Sequence, residues 1–134
     1  MNRNTTFAVA LASLTMLLGL SACSDDPLAP FQPEISNVAD NFQLQATGVT
    51  RRTTTLEYAW SNSGVQATVN HSTTTTAGSA RLVIRDAANA VVYDEALVPS
   101  LNEPTLTGAS GSWTIRLILA DYSGSLNFRV QKAP

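Results

Sequence analysis

Few side chains in this 134-residue chain could do chemistry. There is one thiol, Cys23, and one imidazole, His71. Cys23 stands directly after Ser21 and Ala22, two small residues that let a peptidase approach the backbone. His71 has Asn70, Ser72 and Thr73 as neighbours, so no adjacent carboxylate orients or charges its ring. No second histidine or further cysteine exists to share a zinc ion, and no nucleophile motif lies nearby. A strand histidine that is hydrogen-bonded or exposed is the expectation. Asp94, Glu95 and Glu103 fall in one stretch, but their spacing favours a solvated edge as readily as a shared cleft. Asp86-Ala87-Ala88-Asn89 and Asp121-Tyr122-Ser123-Gly124 would offer calcium ligands only if the two loops converged, because calcium takes six to eight oxygens. Turn formation already accounts for both. No catalytic residue, metal site or cofactor is expected, and an enzyme is the least supported class.

The elements that position these groups begin with an address. Arg3 supplies a short positive region, and Phe7 to Leu20 is apolar except for Ser13, Thr15 and Gly19. At about 14 residues this matches the core of a secretory signal. A transmembrane helix needs about 20. Leu20-Ser21-Ala22-Cys23 resembles the lipobox of bacterial lipoproteins. The resemblance implies cleavage between Ala22 and Cys23, diacylation of the Cys23 sulfur with palmitate-like chains, and often acylation of the new amino group. Each buried CH₂ contributes about 0.8 kcal/mol, so two or three chains hold a protein on a membrane where one does not. Ser24, rather than an aspartate, follows the cysteine, which by the same resemblance points to the outer membrane of the cell envelope.

Removing residues 1–22 leaves 112, enough for one domain with a real core. Without Arg3, seven basic residues face ten acidic ones, a net charge of −3. No basic surface results, which argues against nucleic acid as a partner. Once Cys23 is lipidated no thiol remains for a disulfide, so packing must stabilise the domain. Residues 23–40 carry Pro27, Pro30 and Pro33 without periodicity and read as a tether, able to hold the domain tens of Å from the lipid at about 3.1 Å per residue. Residues 41–134 read as the domain.

That domain is expected to be all-β, because threonine and β-branched residues abound and helical periodicity is absent. Phe42, Leu44 and Ala46 alternate with Gln43, Gln45 and Thr47 as a half-buried strand that Gly48 ends. With Ser61-Asn62-Ser63-Gly64 as a loop, Trp60 faces Val65, Tyr58 faces Ala67 and Leu56 faces Val69. His71 then faces Thr54. With Asp86–Asn89 as a loop, Ile84 opposes Val91, Leu82 opposes Tyr93, Arg81 opposes Asp94, and Val83 meets Val92 on the outer face. With Asp121–Gly124 as a loop, Leu119 meets Leu126, Leu117 meets Phe128 and Ile115 meets Val130. Trp113 extends that face. A short strand near Thr105-Leu106-Thr107 is expected in the connection from Val98 to Ser112. Three consistent hairpins predict a small antiparallel β-sandwich. Trp60, Leu82, Ile115, Leu117 and Phe128 should share its core.

Asp86…Val92-Tyr93-Asp94, Gly111-Ser112-Trp113-Thr114-Ile115-Arg116-Leu117 and Asp121…Ser123-Gly124 resemble the closing half of small extracytoplasmic sandwiches of the pre-peptidase C-terminal and P-domain types. That resemblance implies a non-catalytic accessory or binding role. The expected function is a membrane-anchored interaction or structural module that contacts other envelope proteins. The alternative is a ligand-binding module, for carbohydrate or another extracellular ligand. Sugar-reading faces expose aromatics, and here only Tyr122 and Phe31 fall outside the inward pattern. The last hairpin also places Arg116 opposite Arg129, where two guanidinium forks could take a carboxylate or phosphate of a partner.

Overall fold

The computed structural model describes residues 33–97 and 100–134. The signal, the lipobox with Cys23, Phe31 and most of the tether lie outside the described residues. Seven strands are present: β1 (Glu34–Val38), β2 (Asn41–Asn62), β3 (Ala67–His71), β4 (Thr74–Arg85), β5 (Val91–Ala96), β6 (Leu101–Pro104) and β7 (Gly111–Lys132). Strand accounts for 76% of the described residues, with no helix among them, and every pairing is antiparallel. The domain is all-β.

Two 22-residue strands, β2 and β7, form the axis of the sheet. They pair along their whole length, from Asn41 opposite Gln131 to Asn62 opposite Gly111. Midway the register shifts three times between Ala46 and Thr54. There Gly48, Arg51, Asp121 and Gly124 adopt positive φ. The result is a bend that folds the pair back on itself. Phe42 and Tyr58 lie on one strand and would be about 50 Å apart if it were straight, at about 3.3 Å per residue. Their ring centroids are 5.2 Å apart.

Each half of the bent pair recruits its own neighbours. The half with the start of β2 and the end of β7 carries β1 on one side and β3, then β6, on the other. The half with the end of β2 and the start of β7 carries β4, then β5. Apolar side chains alternate onto one face of β2, β3, β4 and β7, and the fold closes those faces around a common core. Trp60 and Trp113 pack edge to face at 5.9 Å, and Phe42 stacks on Phe128 at 5.9 Å. Trp60, Leu82, Ile115, Leu117 and Phe128 are all buried in that core, as expected from the sequence.

Their partners differ from expectation. Trp60 pairs with Trp113 rather than Val65, Tyr58 with Ile115 rather than Ala67, and Leu56 with Leu117 rather than Val69. Val65 is 53% exposed. Asp121–Gly124 is a bend inside β7 and not a hairpin loop, so Leu117 lies between Leu56 and Leu82, while Phe128 lies between Leu44 and His71. Gly48 likewise bends β2 instead of ending it. The physical reason is common to all three. Alternation fixes which face a residue takes, and a four-residue bend preserves that alternation as well as a four-residue turn does.

The β4–β5 hairpin exists, shifted by two residues. Ile84 pairs with Tyr93 and Arg85 with Val91, and the irregularity between them leaves both Val92 and Tyr93 buried. Such a bulge places two residues opposite one and redirects the side chains. Arg81 still bonds Asp94 at 2.6 Å, as a diagonal neighbour. The short strand of the connection is Leu101–Pro104, preceding the Thr105–Thr107 expected; Thr105 is buried instead, accepting from the Ala67 amide at 3.1 Å. The sheet also reaches into the segment read as tether. β1 pairs with β2 from Glu34, but its five residues are all exposed and leave no alternation to read.

Candidate functional site

The free edges of the two halves meet on one side of the molecule. β5 pairs only with β4, and β6 only with β3. Beyond β6 the Leu106 amide donates to the Val92 carbonyl at 2.8 Å, tying the two edges together. The bulge at Val92 turns Tyr93 inward, and its hydroxyl donates to Glu103 Oε1 of β6 at 2.9 Å. Between the edges runs a groove of ≈ 300 Å³ lined by Val91, Tyr93, Asp94, Glu95, Glu103 and Leu106 among others. Leu106 is the most exposed large apolar residue described, at 70%.

The groove brings together the three carboxylates for which the spacing left a solvated edge and a shared cleft equally open. Asp94 is held below the usual carboxylate range, first by its hydrogen bond from Arg81. Tyr93 is pushed well above the ordinary phenol value by burial and by its bond to Glu103. His71 stands opposite Leu101 of β6 and Phe128 of β7, not opposite Thr54. It is 2% exposed, and neither ring nitrogen has a hydrogen-bond partner among the described residues. It is therefore neither the hydrogen-bonded nor the exposed histidine expected. Burial lowers its pKa, and the charge on Glu103 opposes that shift. No sequence signal marks this, because the strands that flank it, β6 and β7, are distant in sequence.

The remaining candidates fall elsewhere. Arg116 lies opposite Glu57 and bonds it at 2.7 Å, while Arg129 lies opposite Gln43 and bonds its Oε1 at 3.0 Å. They occupy different halves of the bent strand, so the fork of two guanidinium groups loses the pairing on which it rested. Asp86 and Asp121 do not converge either. Asp86 is buried and accepts from the amides of Ala88, Ala90 and Ala109 at 3.0, 2.8 and 2.8 Å. Those bonds, Ala109 first, hold its pKa low. A Cβ on Gly108 would sit 2.7 Å from that of Asp86, so this clamp needs glycine at the contact. Among the described residues no group of three or more His, Cys, Asp or Glu could hold a metal ion. Tyr122, expected outside, is fully buried and donates to the Thr74 carbonyl at 3.1 Å.

Neither a protein-family model nor a curated protein matches this chain.

Proposed function

We propose that this chain is a lipid-anchored protein of the cell envelope, held through acylated Cys23 and probing its surroundings with a non-catalytic β domain. In this reading the two halves of the bent sheet are the facing layers of a sandwich, and the domain is an interaction or structural module for other envelope proteins. Ser24, rather than an aspartate, after the cysteine supports the outer membrane as its location. The supporting observation is the groove between the free edges of β5 and β6. An exposed Leu106 beside Tyr93 and three carboxylates offers an apolar contact with a polar rim, the composition of a protein contact surface. The carbohydrate reading is weaker. Every aromatic among the described residues is buried except Tyr58, which packs against the core and Phe42, so none is presented flat for stacking on a sugar ring.

Three measurements test the proposal. Cells supplied with a tagged fatty acid should label the wild-type chain and not Cys23→Ser; equal labelling of both would remove the anchor. In native membranes, Leu106→Asp should weaken partner cross-linking while Ala88→Asp, on the β4–β5 turn, leaves it intact. Clear binding of the domain to an array of glycans would reverse the order of the two readings.

A further inference from the structure

We propose that the bent end of the sheet, residues 47–53 and 120–125, is the surface this domain turns toward the bilayer. The inference rests on the lipid anchor at Cys23 and adds an orientation that the anchor alone does not give. Strand direction carries it. Glu34 pairs with Gln45 and Val38 with Asn41, so β1 starts beside the bend and runs away from it. Pro33 therefore joins the domain at the bent end.

Chain length then limits the poses. Ten residues, 24–33, could span about 35 Å if fully extended and about 17 Å as a relaxed coil. Each half of the bent strands, about ten residues, is about 30 Å long. Inverting the domain would require the tether to run stretched along its whole side. Leaving the bent end near the lipid requires nothing of the kind.

The chemistry of that end fits a phosphate-bearing headgroup layer. Arg51, Arg52 and Asp121 are the charged residues in the two segments, and the exposed Glu34 starts β1 beside them, so the charge of that end balances as it does in a zwitterionic headgroup. The Arg51 side chain is 80% exposed, its backbone amide donates to the Ser123 hydroxyl at 2.9 Å, and Asp121 lies 3.7 Å from its guanidinium. Thr53 and Ser123 accept from the Asp121 and Arg51 amides, which leaves their hydroxyl hydrogens, with that of the exposed Thr47, for phosphate and glycerol oxygens. The groove with Asp94, Glu95 and Glu103 lies along the side of the domain, clear of that layer and open to a partner.

The test uses the full-length lipidated chain in phosphatidylethanolamine–phosphatidylglycerol vesicles that carry a headgroup-attached nitroxide quencher. One fluorophore is placed by Thr50→Cys at the bend, or by Ala88→Cys at the opposite end. Cys23, once a thioether, takes no label, so unmodified protein serves as the control. Quenching should be several-fold stronger at position 50 than at position 88. Equal quenching, or stronger quenching at 88, on vesicle-bound protein overturns the orientation while leaving the anchor standing. Thiol labelling of the unmodified protein at Cys23 overturns both.

Discussion

At position 71 a histidine is packed where nothing answers either ring nitrogen, and that should make stability depend on pH. The groups facing it are Phe128 from β7, Leu101 and Glu103 from β6, and Tyr93 across the groove through its bond to Glu103. Burial lowers the folded-state pKa below the unfolded value of about 6.5. The unfolded chain therefore binds the proton more readily. Stability is fully present above that value and declines as pH falls below it, by up to about 1.4 kcal/mol per pH unit. Urea denaturation between pH 5 and 8 should show this slope in wild type and not in His71→Leu. An unchanged slope would mean that His71 is not its source. At pH 8 the variant should be no less stable, since replacing an unsatisfied buried polar group by an apolar one is close to neutral. Asp86 acts at lower pH in the same direction. Its folded pKa is depressed, so its contribution is present above the ordinary carboxylate value and lost as pH falls through the folded one. Asp86→Asn should lower the melting temperature at pH 7, and the gap should close in strong acid. The turn-forming role of Asp86 and Asn89 is legible in the sequence; the third amide, from Ala109, arrives from a loop that no local pattern connects to it.

The bend is the element on which the strand pairings depend. A Cβ on Gly124 would overlap the Thr74 carbonyl, and its φ of 144° lies where other residues are strained. Gly124→Ala should destabilise by more than about 1 kcal/mol, measured by chemical denaturation, because it adds a clash to an incompatible backbone angle. A wild-type melting curve for this variant would mean that the bend adopts another path. The register of β2 on β7 is tested by a double-mutant cycle on Leu56 and Leu117, which are direct partners. Residues in contact couple by about 0.5–3 kcal/mol, and additivity of Leu56→Ala and Leu117→Ala would contradict that pairing. Trp113 is fully buried against Trp60. Trp113→Ala should cost about 3–5 kcal/mol, from a total of about 5–15 for a domain of this kind.

At the scale of the whole molecule, the domain is closed by contacts between chain segments far apart in sequence. β7 is central, with β2 on one edge and β4 and β3 in turn along the other. The other side is closed by residues read as tether. Trp60 Nε1 donates to the Val38 carbonyl at 3.1 Å, the Asn37 amide nitrogen donates to the Ala59 carbonyl at 2.9 Å, and Asp40 accepts from the Ser63 amide at 2.7 Å. A chain beginning at Asn41 should therefore melt below one beginning at Pro33, while keeping its β-type circular dichroism. Equal melting temperatures would return β1 to the tether.

The sequence by itself determined the all-β class, the inward face of most strands, the core membership of Trp60, Leu82, Ile115, Leu117 and Phe128, and the presence of the β4–β5 hairpin. These follow from a period of two and from turn chemistry, both local in the chain. Only the tertiary structure decided which strand lies beside which. Leu117 has the same inward parity whether Phe128 or Leu56 is its neighbour, so its alternation cannot choose between a hairpin and a bent strand. The choice falls to long-range packing: Trp113 against Trp60, Phe128 against Phe42, and the Thr74 carbonyl against a Gly124 that no side chain could replace. The same packing buried His71 and Tyr122, separated Arg116 from Arg129, and drew Asp94, Glu95 and Glu103 into one groove. Each of those outcomes depends on an element distant in sequence, and a local pattern carries no information about it.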